Sequence, residues 1–270
     1  MLKRPSRPSV RGVMSPEQIS AWVAPVATRW RKHRNLAPVS MAAMRGIEAK
    51  ALRLGHTSEQ LLASGGDAIA ELGQALAKGR IASGAAASGA PVFILAGSGA
   101  ESALALEAGL RIAASGTPIV VALCGTRARP EHAAASAAWD RLESLTNARR
   151  FRVPDMREAA HFRAGIEDVA LVMEALGGST DAIVPPVPTQ AGIDLVIRAR
   201  AAGVPCLAIT APVGLDPETG SRRRGAPGAD VTITLHRPLI TLLSETSRKL
   251  VGELIVAPLD LPRDADTLAQ

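Results

Sequence analysis

From residue 90 onward the chain alternates short unbroken apolar runs with longer stretches whose apolar residues recur every three or four positions. The runs at 92–96, 118–123, 169–173, 205–209, 230–235 and 252–258 lack polar alternation, as strands buried on both faces do. Helical periodicity fills 100–114, 130–145 and 189–202, with Pro130 suited to a first helical position. Residues 151–153 read as a short edge-like strand and 155–165 as a short helix. The pattern predicts an α/β protein whose mostly parallel sheet is covered by helices on both faces.

Ahead of this region the spacing is helical throughout. Ser15-Pro16-Glu17-Gln18 reads as an N-cap followed by proline at the first helical position. A helix through Trp22, Val26 and Trp30 then ends near Asn35. Ser40 caps a second helix through Met44, Ile47 and Ala51, closed by Gly55. A third runs from 58 to about 78, where Gly65-Gly66 interrupts the pattern at a propensity cost that implies close backbone packing. Residues 83–89 are Ala, Gly and Ser and read as a connector. The expected division is a basic extension over 1–37, with 1–12 disordered, a three-layer α/β/α Rossmann-like domain over 38–262, and a tail over 263–270.

Composition narrows the function. The chain is 47% hydrophobic but has three Phe, three Trp and no Tyr, so it offers few platforms for stacking single-stranded bases. Its formal charge of +6 is concentrated early: eleven Lys and Arg face two Glu before Leu54. Such an arm could contact nucleic acid, but no recognition helix or interleaved aromatics accompany it, and a solvated extension is the expectation. Cys124 and Cys206 sit at the ends of apolar runs and read as buried free thiols. No apolar run reaches the length of a membrane span, and a cytoplasmic protein is expected.

Chemistry is expected where the 205–209 strand opens into a loop rich in Pro and Gly, because ligands of parallel sheets sit beyond the carboxyl ends of strands. Here the order of several motifs resembles the YjeF N-terminal family, best known for NAD(P)H-hydrate epimerases. The pieces are Met44-Arg45-Gly46-Ile47-Glu48, Leu61-Leu62-Ala63-Ser64-Gly65-Gly66-Asp67-Ala68, Ala96-Gly97-Ser98-Gly99 and Glu174-Ala175-Leu176. They continue with Pro212-Val213-Gly214-Leu215-Asp216-Pro217-Glu218-Thr219-Gly220, Asp230-Val231-Thr232-Ile233-Thr234 and Gly252-Glu253-Leu254-Ile255-Val256. The resemblance implies a Rossmann-like domain, a tendency to dimerise, a nucleotide ligand and a monovalent cation.

The implied functional residues match poorly. The family's glycine loop, Gly-Pro-Gly-Asn-Asn-Gly-Gly-Asp-Gly, is here Gly97-Ser98-Gly99-Ala100-Glu101-Ser102-Ala103-Leu104-Ala105. Thr210 stands at the position of the family's proton-transferring Asp, Val213 replaces a Ser, Ser64 an Asn and Glu174 an Asp. The usual Pro-Lys after the 230–235 strand is Pro238-Leu239. A threonine hydroxyl is a poor general base, and losing the base alone forfeits roughly 10²–10⁴-fold in rate.

The expectation is therefore a non-catalytic or impaired homologue with a binding or partner role, no catalytic residue and no cofactor. An active isomerase with altered residues is the first alternative; a nucleic-acid-associated protein acting through the basic arm is the second. Candidate ligand-binding positions are Gly97, Ser98, Gly99, Ala100, Glu174, Thr210, Val213 and Gly214. Expected partners are a weakly bound NAD(P)-like molecule and a second copy or partner protein, with no membrane and no nucleic acid. Glu101 suits the dipole of the following helix but repels phosphate. Glu174, Ser179 and Thr180 are the remaining side-chain oxygens for a cation. Asp216 and Thr219 read as an architectural turn, Arg222-Arg223-Arg224 as a solvated run, and His236 as the one histidine placed to reach the rim of Thr210.

Overall fold

The computed structural model describes residues 14–162, 165–177 and 185–266. Its strands are β1 (Val92–Ala96), β2 (Ile119–Leu123), β3 (Ala148–Arg152), β4 (Leu171–Ala175), β5 (Cys206–Ile209), β6 (Val231–Leu235) and β7 (Glu253–Ala257). They form one sheet in the order β3-β2-β1-β4-β5-β6-β7, and every neighbouring pair is parallel. Val92 is level with Ile119 on one side and Leu171 on the other. The order reverses at the β1–β4 pair, where a doubly wound sheet opens its ligand crevice.

Helices α1 (Pro16–Arg34), α3 (Ser58–Ala82), α4 (Glu101–Ala114) and α5 (Ala133–Arg141) share a core with Val92, Ile94, Leu171, Met173 and Ile255. On the other face α6 (Met156–His161) and α7 (Val187–Ala201) cover Phe93, Leu95, Val172 and Ala208. The helices α2 (Met41–Arg53) and α8 (Glu245–Val251) extend that layer over Leu254 and Val256. The result is the three-layer α/β/α arrangement expected from the alternation of strands and helices.

Several boundaries differ from the sequence expectation. The third helix runs unbroken through Gly65-Gly66 to Ala82. The two glycines instead let α4 approach, since a Cβ on Gly65 would meet Leu104 and one on Gly66 would meet Glu107. Pro130 lies ahead of α5, which begins at Ala133 and passes into a 3-10 turn at Leu142–Ser144. The edge strand β3 starts three residues before the predicted one and leaves out Val153. The helix expected over 155–165 ends at His161, and β4 runs past Met173, so that Glu174 lies within the strand. A 3-10 turn (Ile240–Leu243) and α8 occupy a stretch in which the apolar pattern gave no element.

The α1 helix docks on its own domain. Ile19, Val23, Val26 and Trp30 are buried, and the Trp22 ring fills the space a Cβ on Gly79 would need. Ser20 donates to the Glu253 carboxylate at 2.5 Å, Arg34 donates to the Leu254 carbonyl at 3.3 Å, and Arg29 pairs with Glu71. Beyond β6, Asp266 accepts from Arg237 Nε at 2.6 Å and from His236 Nε2 at 2.7 Å. Arg237 Nη1 also donates to the Ala37 carbonyl at 2.9 Å, and His33 Nδ1 to that of His236 at 3.1 Å. One buried polar knot thus ties the segments before α2 and after β7 to the end of β6.

Candidate functional site

The chain leaves β5 through a strained turn. Thr210 has φ +71°, and Ala211 N–H donates back to the Ile209 carbonyl at 2.9 Å, closing a three-residue γ-turn around it. Positive-φ γ-turns are rare and strained, and a β-branched residue at positive φ is a genuine outlier. The end of β6 repeats the device: His236 has φ +65°, and Arg237 N–H donates to the Leu235 carbonyl at 2.8 Å. Strain of this kind costs on the order of 1–3 kcal/mol and persists only where its surroundings enforce it. Glycine relieves the strain but loses more chain entropy. Thr210→Gly is therefore expected to stabilise the fold by about 1 kcal/mol, read as a higher urea midpoint; a lower midpoint would mean that the threonine side chain holds the turn.

The loop beyond is built as the Asp216 turn suggests. Asp216 Oδ1 accepts from the backbone of Glu218 at 2.8 Å and Thr219 at 3.4 Å, and Gly220 N–H returns to the Asp216 carbonyl at 2.8 Å. Glu174 fastens this loop from below. Its Oε1 accepts from Val213 N–H at 2.7 Å and its Oε2 from Leu176 N–H at 3.3 Å. Burial pushes its pKa up to about 7, against the lowering effect of those two bonds; nearby Glu101 adds to the rise. With both oxygens engaged and only 1% of its surface exposed, Glu174 is a staple beneath the cleft, not part of its lining.

On the opposite side Gly97 N–H donates to the Ala175 carbonyl at 2.9 Å, and Ser102 Oγ to the Gly97 carbonyl at 2.8 Å. A Cβ on Gly97 would stand 3.1 Å from Leu176 Cα, so close approach of the loops after β1 and β4 explains that glycine. A Cβ on Gly99 would stand 2.5 Å from Glu101 Oε2 and 3.1 Å from the Gly177 carbonyl oxygen. Ala100 is the N-cap of α4 and caps nothing with its side chain.

Between these loops lies a cleft of about 130 Å³. Of the sequence candidates, Ser98, Thr210, Val213 and Gly214 line it, whereas Gly97, Gly99, Ala100 and Glu174 do not. Ser179 and Thr180 lie outside the described residues. His236 sits past the neighbouring strand but is committed to Asp266, and it does not line the cleft. Among the lining residues that sequence reasoning missed are the polar Glu101, Thr189 and Arg223. Glu101 was read only against the helix dipole, and Arg223 is the half-buried member of an otherwise exposed arginine run. A wider groove of about 520 Å³ between α1 and α3 holds Asp67 and Glu71, which are already paired with Arg111 and Arg29.

The cleft is well below the roughly 300–1,000 Å³ of drug-sized ligand pockets, so a whole dinucleotide does not fit inside it. Among the described residues no three His, Cys, Asp or Glu side chains converge as metal ligands, and none of the helices is long and apolar enough to cross a membrane.

A parallel α/β/α domain with a cleft past the carboxyl ends of β1, β4 and β5 defines a Rossmann-like fold class. The chain belongs to the family described as YjeF-related protein N-terminus, whose model matches residues 58–241. It is similar to two proteins named bifunctional NAD(P)H-hydrate repair enzyme Nnr. The one from Methanothermobacter thermautotrophicus is 27% identical over 233 residues, covering 86% of this chain and 41% of that protein. The one from Pyrobaculum aerophilum is 40% identical over 62 residues, covering 23% of this chain and 12% of that protein. The matches thus span less than half the length of these relatives. The crystal structure of yeast ynu0 has the same fold, with a TM-score of 0.66 at 17% identity over 85% of this chain and 92% of that one.

Proposed function

We propose that this chain is a ligand-binding member of its family that has lost epimerase chemistry. The observation that carries the reading is Thr210, an uncharged hydroxyl in a strained turn where β5 opens into the cleft. Epimerising a hydrated nicotinamide needs a group that takes up and returns a proton at the reacting carbon. The nearest sequestered carboxylate, Glu174, spends both oxygens on backbone hydrogen bonds. The cleft's size further suits one ring of a ligand, with any remainder outside. The monovalent cation implied by the family fits poorly at Glu174 for the same reason.

One observation favours a second reading, an active isomerase with rearranged residues: Glu101 is an ionisable side chain in the same cleft. Turnover of the epimeric NAD(P)H hydrates separates the two. The expected result is conversion no faster than the uncatalysed reaction. Conversion that Glu101→Gln abolishes would overturn the binding reading in favour of a Glu101 base.

A further inference from the structure

The two edges of the sheet are finished differently. Along β7 lies α1, from which Ser20 bonds the Glu253 carboxylate and Arg34 caps the Leu254 carbonyl. The other edge, β3, pairs only with β2. Ile119 N–H donates to the Asn147 carbonyl at 2.9 Å, and Val153 N–H to that of Leu123 at 2.8 Å. Between these bonds the alternation of a parallel ladder turns the backbone of Arg149 and Phe151 toward β2, and that of Arg150 and Arg152 away from the sheet. Among the described residues nothing bonds the outward N–H and C=O groups of Arg150 and Arg152. Such a row is a template for a further strand.

Side chains decide which strand. Arg150 is already committed: it donates to the Trp139 carbonyl at 2.6 Å, pairs with Glu143 at 3.0 Å and lies over the Trp139 ring. Arg149 and Arg152 are exposed and have no acidic partner among the described residues; the Arg152 guanidinium donates to the neutral Thr126 carbonyl at 3.2 Å. Phe151, on the same face as Arg149, is 42% exposed and meets Phe162 edge-on. A second copy's β3 laid alongside would set arginine against arginine, which is unfavourable. The edge therefore repels its own kind and suits negative charge. We propose that β3 docks an acidic, extended segment of another protein, which joins the sheet as an antiparallel strand. In this arrangement the partner's backbone pairs with Arg150 and Arg152, an apolar side chain covers Phe151, and carboxylates face Arg149 and Arg152. The edge shares no residue with the cleft, so the inference stands apart from the binding reading.

The test follows the fluorescence anisotropy of labelled acetyl-Thr-Glu-Val-Thr-Glu-Thr titrated with the full chain at fixed ionic strength. Laid antiparallel, its glutamates face Arg152 and Arg149 and its valine faces Phe151. It is expected to bind roughly tenfold more tightly than the same peptide with lysine for glutamate, the combined effect of two screened ion pairs. Arg149→Glu/Arg152→Glu should reverse that order. N-methylation of the first glutamate and the second threonine removes the N–H groups aimed at β3 and should weaken binding by at least as much. At saturation, amide exchange should slow at Arg150 and Arg152, while Arg149 and Phe151, already bonded to β2, stay unchanged. These last two readouts use the unaltered protein, so a variant that misfolds does not blunt the test. No saturation by about 1 mM peptide, equal binding of the lysine peptide, or indifference to N-methylation would each overturn the inference. Indifference together with displacement by an oligothymidylate would mark a polyanion contact instead of an added strand.

Discussion

Asp266→Asn is expected to destabilise the protein by about 3–5 kcal/mol, the usual cost of stranding one partner of a buried ion pair. Arg237 is 1% exposed and Asp266 is 7% exposed, so water cannot readily replace the lost carboxylate. The amide that replaces it can still accept from His236 Nε2 through its one oxygen, but it carries no charge to balance Arg237. Burial holds the His236 pKa below its ordinary value, and the hydrogen bond to Asp266 acts in the opposite direction. His236 in the variant would thus be harder still to protonate. Urea unfolding of the single variant and of Arg237→Met/Asp266→Leu checks the argument. The double variant should regain most of the loss, because an apolar pair of similar volume often matches a buried salt bridge. A single-variant loss below about 1 kcal/mol would place the pair in the range of solvent-exposed bridges.

Glu174 is expected to give the fold a pH dependence of opposite sign to that of most carboxylates. Its folded pKa of about 7 lies above the ordinary value of 4.5. Between those limits the folded state holds the proton more tightly than the unfolded chain, so stability falls as pH rises. The contribution is fully present below pH 4.5, is lost through pH 7 and is absent above it. A rise of this size corresponds to about 3 kcal/mol. The Glu174→Gln variant forgoes one of the two backbone hydrogen bonds at every pH, and its stability profile should be flatter by that amount over the same window. Denaturant midpoints for both proteins between pH 4.5 and 8 provide the comparison. Parallel profiles would show that the carboxylate stays ionised in the fold and that its two N–H donors outweigh its burial.

The sequence carried the layers of this protein better than the contents of its cleft. Unbroken apolar runs such as Val92–Ala96 and Cys206–Ile209 mark strands because both faces of the sheet are covered, and both are strands in the structure. The Asp216 turn was also legible, since its hydrogen bonds span only a few residues. Boundaries slipped where tertiary contact overrides local preference. Gly65-Gly66 looked like a break in α3 but is the surface on which α4 rests. Charged residues were hardest to place. The fate of Glu174 depends on amides at Val213 and Leu176, one of them 39 positions away. Arg237 and Asp266 meet across 29 positions, with no periodicity to announce them. Glu101 and Arg223 belong to one cleft only because the order of strands brings the loops after β1 and β5 together.

The division of labour between Glu101 and Glu174 bears on how such a domain changes its ligand. One acid stands free on the first turn of a helix that follows β1; the other is locked into the seam between β4 and the loop after β5. The two walls of the crevice therefore come from different halves of the polypeptide. A single replacement at Glu101 thus leaves the hydrogen bonds that hold the opposite wall untouched.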